Sequence, residues 1–156
     1  MQIDVRPLQK KIRQWTLILG VAQFSLGCLV GLIPPTAVLW FRGIVMSHLQ
    51  YTSNGMLMIL FGFLVPELRL GSSALKLWFV TLQIGTWTNG TAGLVGAIIG
   101  YSSQLLPTLN EKFPAPRGLD HMAVSSLLQV CGITILIALY LTIYGLLSKL
   151  KGESNH

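Results

Sequence analysis

Charged residues are scarce in this sequence. They make up only 10% of its 156 residues, against about 25% in a typical soluble domain. Hydrophobic residues account for 52% of the chain. Because so few charged side chains cannot cover a water-facing surface, we expect an integral membrane protein, with residues 1–156 forming one domain.

Acidic residues are missing from every long apolar run. This absence argues against paired-carboxylate catalysis, a carboxylate-supported triad and an ion-coupled transporter, all of which need an acid inside the fold. No glycine-rich phosphate loop occurs either. The two cysteines, Cys28 and Cys131, both lie in apolar runs and suggest neither a disulfide framework nor a metal pair.

The net charge of +6 comes from basic residues that flank the apolar runs. This placement is typical of juxtamembrane anchors and argues against nucleic-acid binding. Eight basic residues fall on the side that holds both termini, and three fall on the other side. The positive-inside rule therefore predicts cytoplasmic termini. The eight are Arg6, Lys10, Lys11, Arg13, Arg69, Lys76, Lys149 and Lys151, and the three are Arg42, Lys112 and Arg117.

Four apolar runs predict an all-α fold, a bundle of four transmembrane helices in the lipid bilayer. The predicted spans are residues 14–33, 43–65, 74–101 and 121–147. Prolines at 34, 35 and 66 end the first two spans. Gly27 and Gly31 form a GxxxG pair, and such small-residue faces favour close helix packing, including packing in a homo-oligomer.

Two of the connections are unusual. The segment 34–42 is apolar enough to lie along the membrane interface, where Trp40 would join an aromatic belt. The segment 102–120 is the longest loop, rich in proline, and could cap one mouth of a cavity.

Polar residues concentrate between the outer interface and the middle of the predicted bundle. The second span carries Ser-His-Leu-Gln-Tyr-Thr-Ser-Asn-Gly at 47–55, and the third carries a second patch at 83–91. Polar residues at such depth usually face a protein interior or a cavity. We therefore expect one shared polar cavity, with helix-to-helix hydrogen bonds as the alternative.

His48 is the one imidazole within this polar region. A lone histidine is a poor zinc site, because zinc requires three or four ligands. It suffices as the axial ligand of a haem, since the porphyrin supplies four nitrogens. The plainer alternative is that His48 hydrogen-bonds a neighbouring helix.

The segment SHLQYTSNGMLMILFGFLVPELRLG at 47–71 resembles a span shared by bacterial hydroxylaminobenzene mutases and styrene oxide isomerases, and IGTWTNG at 84–90 is similar to their third span. The resemblance implies a homotrimer in the bacterial inner membrane, with ferric haem b between subunits. By that resemblance His48 would be the axial ligand and Asn54 would hold the substrate oxygen. Six residues of helix rotate by about 120°, so His48 and Asn54 would have to come from neighbouring subunits.

The resemblance also suggests a substrate class. The styrene oxide isomerases carry an Asp and a Tyr where this chain has Gly85 and Gly93, which favours the mutase branch. The expected reaction is redox-neutral conversion of a small aromatic hydroxylaminoarene to an ortho-aminophenol, with ferric iron as the Lewis acid. The alternative is isomerisation of an aryl epoxide to an aldehyde. Tyr51, Trp87 and Asn89 are candidates to line the substrate pocket.

Two non-catalytic interpretations remain open. A haem protein that transfers electrons or senses a gas would gain from a second axial ligand, for which His121 is the available histidine. A structural membrane subunit without a cofactor would use the glycine faces for assembly alone.

Overall fold

The computed structural model describes residues 5–153, and this part of the chain is all-helical, as the sequence predicts. The side chain of Lys151 and the predicted domain limits at residues 1 and 156 lie outside the described part. Five α-helices form in the order α1 (Arg6–Val30), α2 (Phe41–Leu64), α3 (Ser72–Ile99), α4 (Pro107–Lys112) and α5 (Met122–Glu153).

The long helices pack in chain order. Helix α1 packs along α2, α2 along α3, and α3 along α5, while α1 touches α3 more lightly. One apolar core joins all four long helices around Trp78, whose indole Nε1 donates to Thr142 Oγ1 on α5 over 2.8 Å. Helix α1 starts at Arg6, earlier than the predicted span, because its basic first turns continue the same helix.

Glycines set the distance between the helices. A Cβ added at Gly55 of α2 would lie 2.5 Å from the backbone nitrogen of Phe24 and 2.8 Å from the carbonyl oxygen of Gly20, both on α1. A Cβ at Gly43 would lie 2.7 Å from the Gly93 carbonyl oxygen on α3. Backbones this close require residues without side chains, as the small-residue pattern indicates.

The connections differ from their predicted positions. Trp40 is only 4% exposed, so it does not join an aromatic belt. Its indole instead donates to the carbonyl oxygen of Phe113 at 3.3 Å, and its backbone nitrogen donates to Ala97 at the end of α3. The 102–120 segment contains α4 and covers this tryptophan. Trp40 is therefore buried under a loop and does not lie at the membrane interface as predicted.

By length and composition, one helix among the described residues could cross a membrane on its own, over Met122–Leu150 of α5. Helices α1, α2 and α3 carry more polar side chains, which lower their mean hydropathy. All four long helices nevertheless expose large apolar side chains. Examples are Ile18 at 58%, Leu60 at 61%, Ile98 at 58% and Leu136 at 68%.

We expect Gly55→Ala to destabilise the fold, because its new methyl group must push apart two backbones that cannot yield locally. Overpacking of this kind costs about 1–3 kcal/mol, more than the helix-propensity gain from replacing glycine. Thermal unfolding in detergent measures the effect. Gly132→Ala on α5 is the matched control, since nothing lies within 4 Å of its added Cβ. Equal melting temperatures for the two variants would contradict this account of the α1–α2 contact.

Candidate functional site

His48 lies on the face of α2 that packs against α1. Its Nδ1 lies 2.8 Å from the carbonyl oxygen of Gly27. Because a carbonyl can only accept, this contact places the proton on Nδ1 and leaves the Nε2 lone pair free. No described residue forms a hydrogen bond with Nε2. The contact is the helix-to-helix bond that the plainer alternative expected, and it also prepares the ring to act as a ligand.

The imidazole lies on the wall of a groove of about 290 Å³ between the end of α1 and the start of α2. The other wall residues are mostly apolar, and Cys28, Leu32 and Phe41 among them are exposed. Gly31 leaves space for the ring, since a Cβ there would lie 2.7 Å from His48 Nδ1. The groove is therefore an open apolar surface that carries one basic nitrogen.

These residues fit an axially ligated haem. A histidine ligand normally donates its second ring N–H to a carbonyl or carboxylate, which fixes the ring and raises its basicity. Gly27 supplies that acceptor. An apolar wall suits a porphyrin face, and the open side leaves room for a second wall from another molecule.

Asn54 faces a different neighbour. Its side chain is 9% exposed, and its Nδ2 donates to the backbone carbonyl of Thr86 on α3 over 3.1 Å. The fully buried Gln23 of α1 donates its Nε2 to the same carbonyl oxygen at 2.8 Å. The Thr86 carbonyl thus joins three helices. Within one chain, Asn54 and His48 lie on different faces of α2 and do not form a common site.

The other predicted pocket residues divide into two groups. Tyr51 and Trp87 are in edge-to-face contact with ring centroids 6.0 Å apart, and the Tyr51 hydroxyl lies 2.8 Å from Thr91 Oγ1. Asn89 instead donates a hydrogen bond to Gln50 Oε1 on α2 at 2.6 Å. Tyr51 is 3% exposed, so its ring packs between helices rather than against open space.

The polar patches therefore meet in a different way from the expected shared cavity. Ser47 donates to the Gly90 carbonyl at 2.8 Å, and the bonds of Asn54, Gln50 and Tyr51 continue this ladder along α2 and α3. Helix-to-helix hydrogen bonds, the alternative, account for most of the polar side chains. The close glycine contacts leave little space between these helices for a cavity.

Two glutamines keep unpaired polar atoms within the described structure. The Oε1 atom of Gln23 and both amide atoms of Gln83 are buried without a hydrogen-bond partner. Gln23 lies outside the two polar patches identified in the sequence, at 47–55 and 83–91, and its bond to Thr86 is not predicted from them. A lone glutamine in an apolar helix is the signal that could have found it, since such a residue needs a partner.

His121 is placed outside the His48 groove. Its ring lies 5.0 Å from the Tyr101 ring, and its Nδ1 accepts from the backbone nitrogen of Ala123 at 3.3 Å. It caps the start of α5. The structure therefore gives His121 a local structural role and does not pair it with His48.

Comparison with known proteins gives a consistent family. The family model for styrene oxide isomerase matches residues 12–147. Hydroxylaminobenzene mutase HabB of Ectopseudomonas oleovorans is 31% identical over 145 residues, covering 91% of this chain and 83% of its own length. Hydroxylaminobenzene mutase HabA of the same organism is 33% identical over 88 residues, 56% of this chain and 64% of that protein. No solved structure matches this chain. Enzymes of both names are isomerases, and this chain belongs to the styrene oxide isomerase family.

Proposed function

We propose that this protein is a haem-dependent membrane isomerase that converts hydroxylaminoarenes to ortho-aminophenols. The observation that carries the proposal is the His48 ring, which lies on the wall of an apolar groove with its Nδ1 held by the Gly27 carbonyl. Family membership supports an isomerase, and the long alignment with HabB supports a small aromatic substrate that carries a hydroxylamino group.

The proposed setting is the bacterial inner membrane, with the four long helices crossing the bilayer and both termini in the cytoplasm. Each of these helices exposes bulky apolar side chains, which a water-facing surface of a monomer rarely presents in such number. Between the helices lie hydrogen-bonded polar side chains. An apolar outside around a polar inside fits a lipid environment. The basic residues at the helix ends support the orientation.

When bound, haem would supply a Lewis-acidic iron able to polarise a substrate oxygen. His48 would hold it from one side, and the Gly27 carbonyl would keep the imidazole in the right tautomer and orientation. Once a neighbouring chain covers its open side, the apolar groove would exclude water, so that positive charge developing on the substrate is not trapped by hydrolysis.

Asn54 is proposed to hold the substrate oxygen. Because its Nδ2 is fixed on Thr86, its amide plane is set before substrate arrives. Within a chain it contacts α3 while His48 contacts α1, so the two residues would serve one site from neighbouring chains. The homotrimer implied by the resemblance provides such neighbours.

The epoxide reaction is the second candidate, because the family model itself is that of styrene oxide isomerase. Gly85 favours the mutase reaction. In the structure it packs against Ile135 and Thr134 of α5, where an added Cβ would lie 2.5 Å from Ile135. An acidic side chain at that position would need a different α3–α5 contact, which supports the mutase reaction over an acid-assisted epoxide reaction.

We expect His48→Gly to abolish the Soret band of protein purified from cells supplied with haem, because the ring is the proposed ligand. Added imidazole should restore the band by entering the space the side chain leaves. The absorption spectrum measures both effects. Recovery with imidazole separates ligand loss from misfolding.

His121→Ala is the matched histidine control and should leave the spectrum unchanged, since His121 caps α5. Loss of the band in His121→Ala would favour the electron-transfer interpretation with two histidine ligands. A colourless wild type would contradict the haem proposal and leave the structural-subunit interpretation.

Asn54→Ala should retain the Soret band and lose turnover of hydroxylaminobenzene by about 100-fold in kcat, as removal of a single positioned hydrogen-bond group typically does. Product chromatography with hydroxylaminobenzene and styrene oxide in parallel measures the loss and the substrate preference. Ser53→Ala, an exposed neighbour on α2, is the control. Unchanged kcat in Asn54→Ala would remove Asn54 from the site.

The groove offers a readout independent of activity. Cys28 is exposed on its wall, whereas Cys131 is half-buried on α5. Haem in the groove should slow maleimide labelling of Cys28 several-fold and leave Cys131 labelling unchanged. Mass spectrometry of haem-loaded and haem-free protein measures the two rates. Equal Cys28 rates in the two forms would place the haem elsewhere.

A further inference from the structure

A second groove, distinct from the one beside His48, lies between the first halves of α1 and α3. It has a volume of about 510 Å³. Its wall is formed by apolar side chains from both helices and by one lysine from each, Lys11 and Lys76. Leu8, Ile12 and Trp15 of α1 face Phe79 of α3 across it. Neither the isomerase proposal nor the family comparison uses this groove.

The two lysines lie at the same level. Gln23 of α1 bonds Thr86 of α3, so the two parallel helices are in register at that point. Counting back at 1.5 Å per residue puts Lys11 about 18 Å and Lys76 about 15 Å below this contact. Thr86 lies near the middle of α3 (Ser72–Ile99), and half the hydrocarbon thickness of a bilayer is about 15 Å. In the proposed setting both ammonium groups therefore reach the cytoplasmic headgroup region.

No carboxylate with a described side chain neutralises the positive charge at this end of the groove. Among the described residues neither Lys11 nor Lys76 forms an ion pair. Glu67, a carboxylate at the same end of the bundle, is already paired with Lys149. The other two acids with described side chains, Glu111 and Asp120, belong to the loop that follows α3. Within the described structure, the groove thus combines an apolar channel with two lysines that form no ion pair.

We propose that this groove binds an anionic phospholipid of the cytoplasmic leaflet. Its phosphate would lie between Lys11 and Lys76, and one acyl chain would run along Ile12, Trp15 and Phe79. Basic pockets between helices on the cytoplasmic side select anionic headgroups for this reason. The occupant would join α1 to α3, which contact each other only lightly, and so hold the helix that carries Gln23 and Gly27. The proposal rests on the membrane setting of the proposed function but not on haem or on catalysis.

The test uses full-length protein in vesicles of phosphatidylcholine containing a minor fraction of phosphatidylglycerol. Acyl-chain bromines quench tryptophan, so either the phosphatidylglycerol or an equal fraction of the phosphatidylcholine is brominated. The ratio to matched unbrominated vesicles cancels any constant quenching by haem. Subtracting the fluorescence of Trp15→Phe in the same vesicles before this ratio is taken isolates the signal of Trp15, which is 48% exposed on the groove wall.

Brominated phosphatidylglycerol should quench Trp15 more strongly than brominated phosphatidylcholine at the same fraction. Each lysine is expected to contribute about fivefold to the binding preference. Lys11→Gln with Lys76→Gln should abolish the preference, and Lys11→Arg with Lys76→Arg should keep it. The matched control, Lys10→Gln with Arg13→Gln, removes the same charge from residues on another face of α1, beside Pro66, and should keep it too.

Three results would overturn the proposal. Equal quenching by the two lipids would show a groove filled without headgroup selection. If the groove variant and the control variant lost the preference for phosphatidylglycerol equally, the preference would come from the overall positive charge at this end of the bundle and not from the groove. No quenching of Trp15 by either lipid would show the groove covered by protein, such as a second copy of the chain. The Soret band of the same samples reports the proposed function separately, since it depends on His48 and not on these lysines.

Discussion

The packing of this protein depends on one backbone carbonyl. The Thr86 oxygen accepts from Gln23 of α1 and from Asn54 of α2, so three helices meet at a single acceptor near the middle of α3. Both donors are on short side chains. They can bond the Thr86 oxygen only because glycines allow the helix backbones to come into contact. In the proposed membrane setting no water would compete for these groups, and apolar surfaces would give no net drive for helices to associate. Close packing and hydrogen bonds then decide the arrangement together.

This junction also explains the division of the candidate site. The face of α2 that carries Asn54 packs against α3, and the face that carries His48 packs against α1. No rotation of α2 could bring both residues to one ligand without breaking the Thr86 contacts or the Gly27 contact. The two residues therefore stay on separate faces of α2 within one chain, as the proposed sharing of a cofactor between neighbouring chains requires.

The helical class and the approximate helix ends could be predicted, because apolar runs and prolines at 34 and 66 are local signals. The separate faces of His48 and Asn54 followed from helix rotation alone. Helix α4, the burial of Trp40 and the bond from Gln23 to Thr86 could not be predicted in this way. Each depends on which residues meet between distant segments, and that registry is set by the combined packing of all the helices rather than by any local pattern.

The open side of the His48 groove would link ligand binding to the association of chains. One chain alone offers a groove of about 290 Å³ with apolar walls and one imidazole. A ligand held there keeps much of its surface uncovered. If a second chain supplies the missing wall, the bound ligand increases the affinity of the two chains for each other. Association then increases the affinity for the ligand by the same factor. Haem loading and oligomer stability are then two measurements of a single coupling free energy. The Gly27–His48 contact favours ligation with or without the second chain, because a ring already oriented loses little freedom when it becomes a ligand.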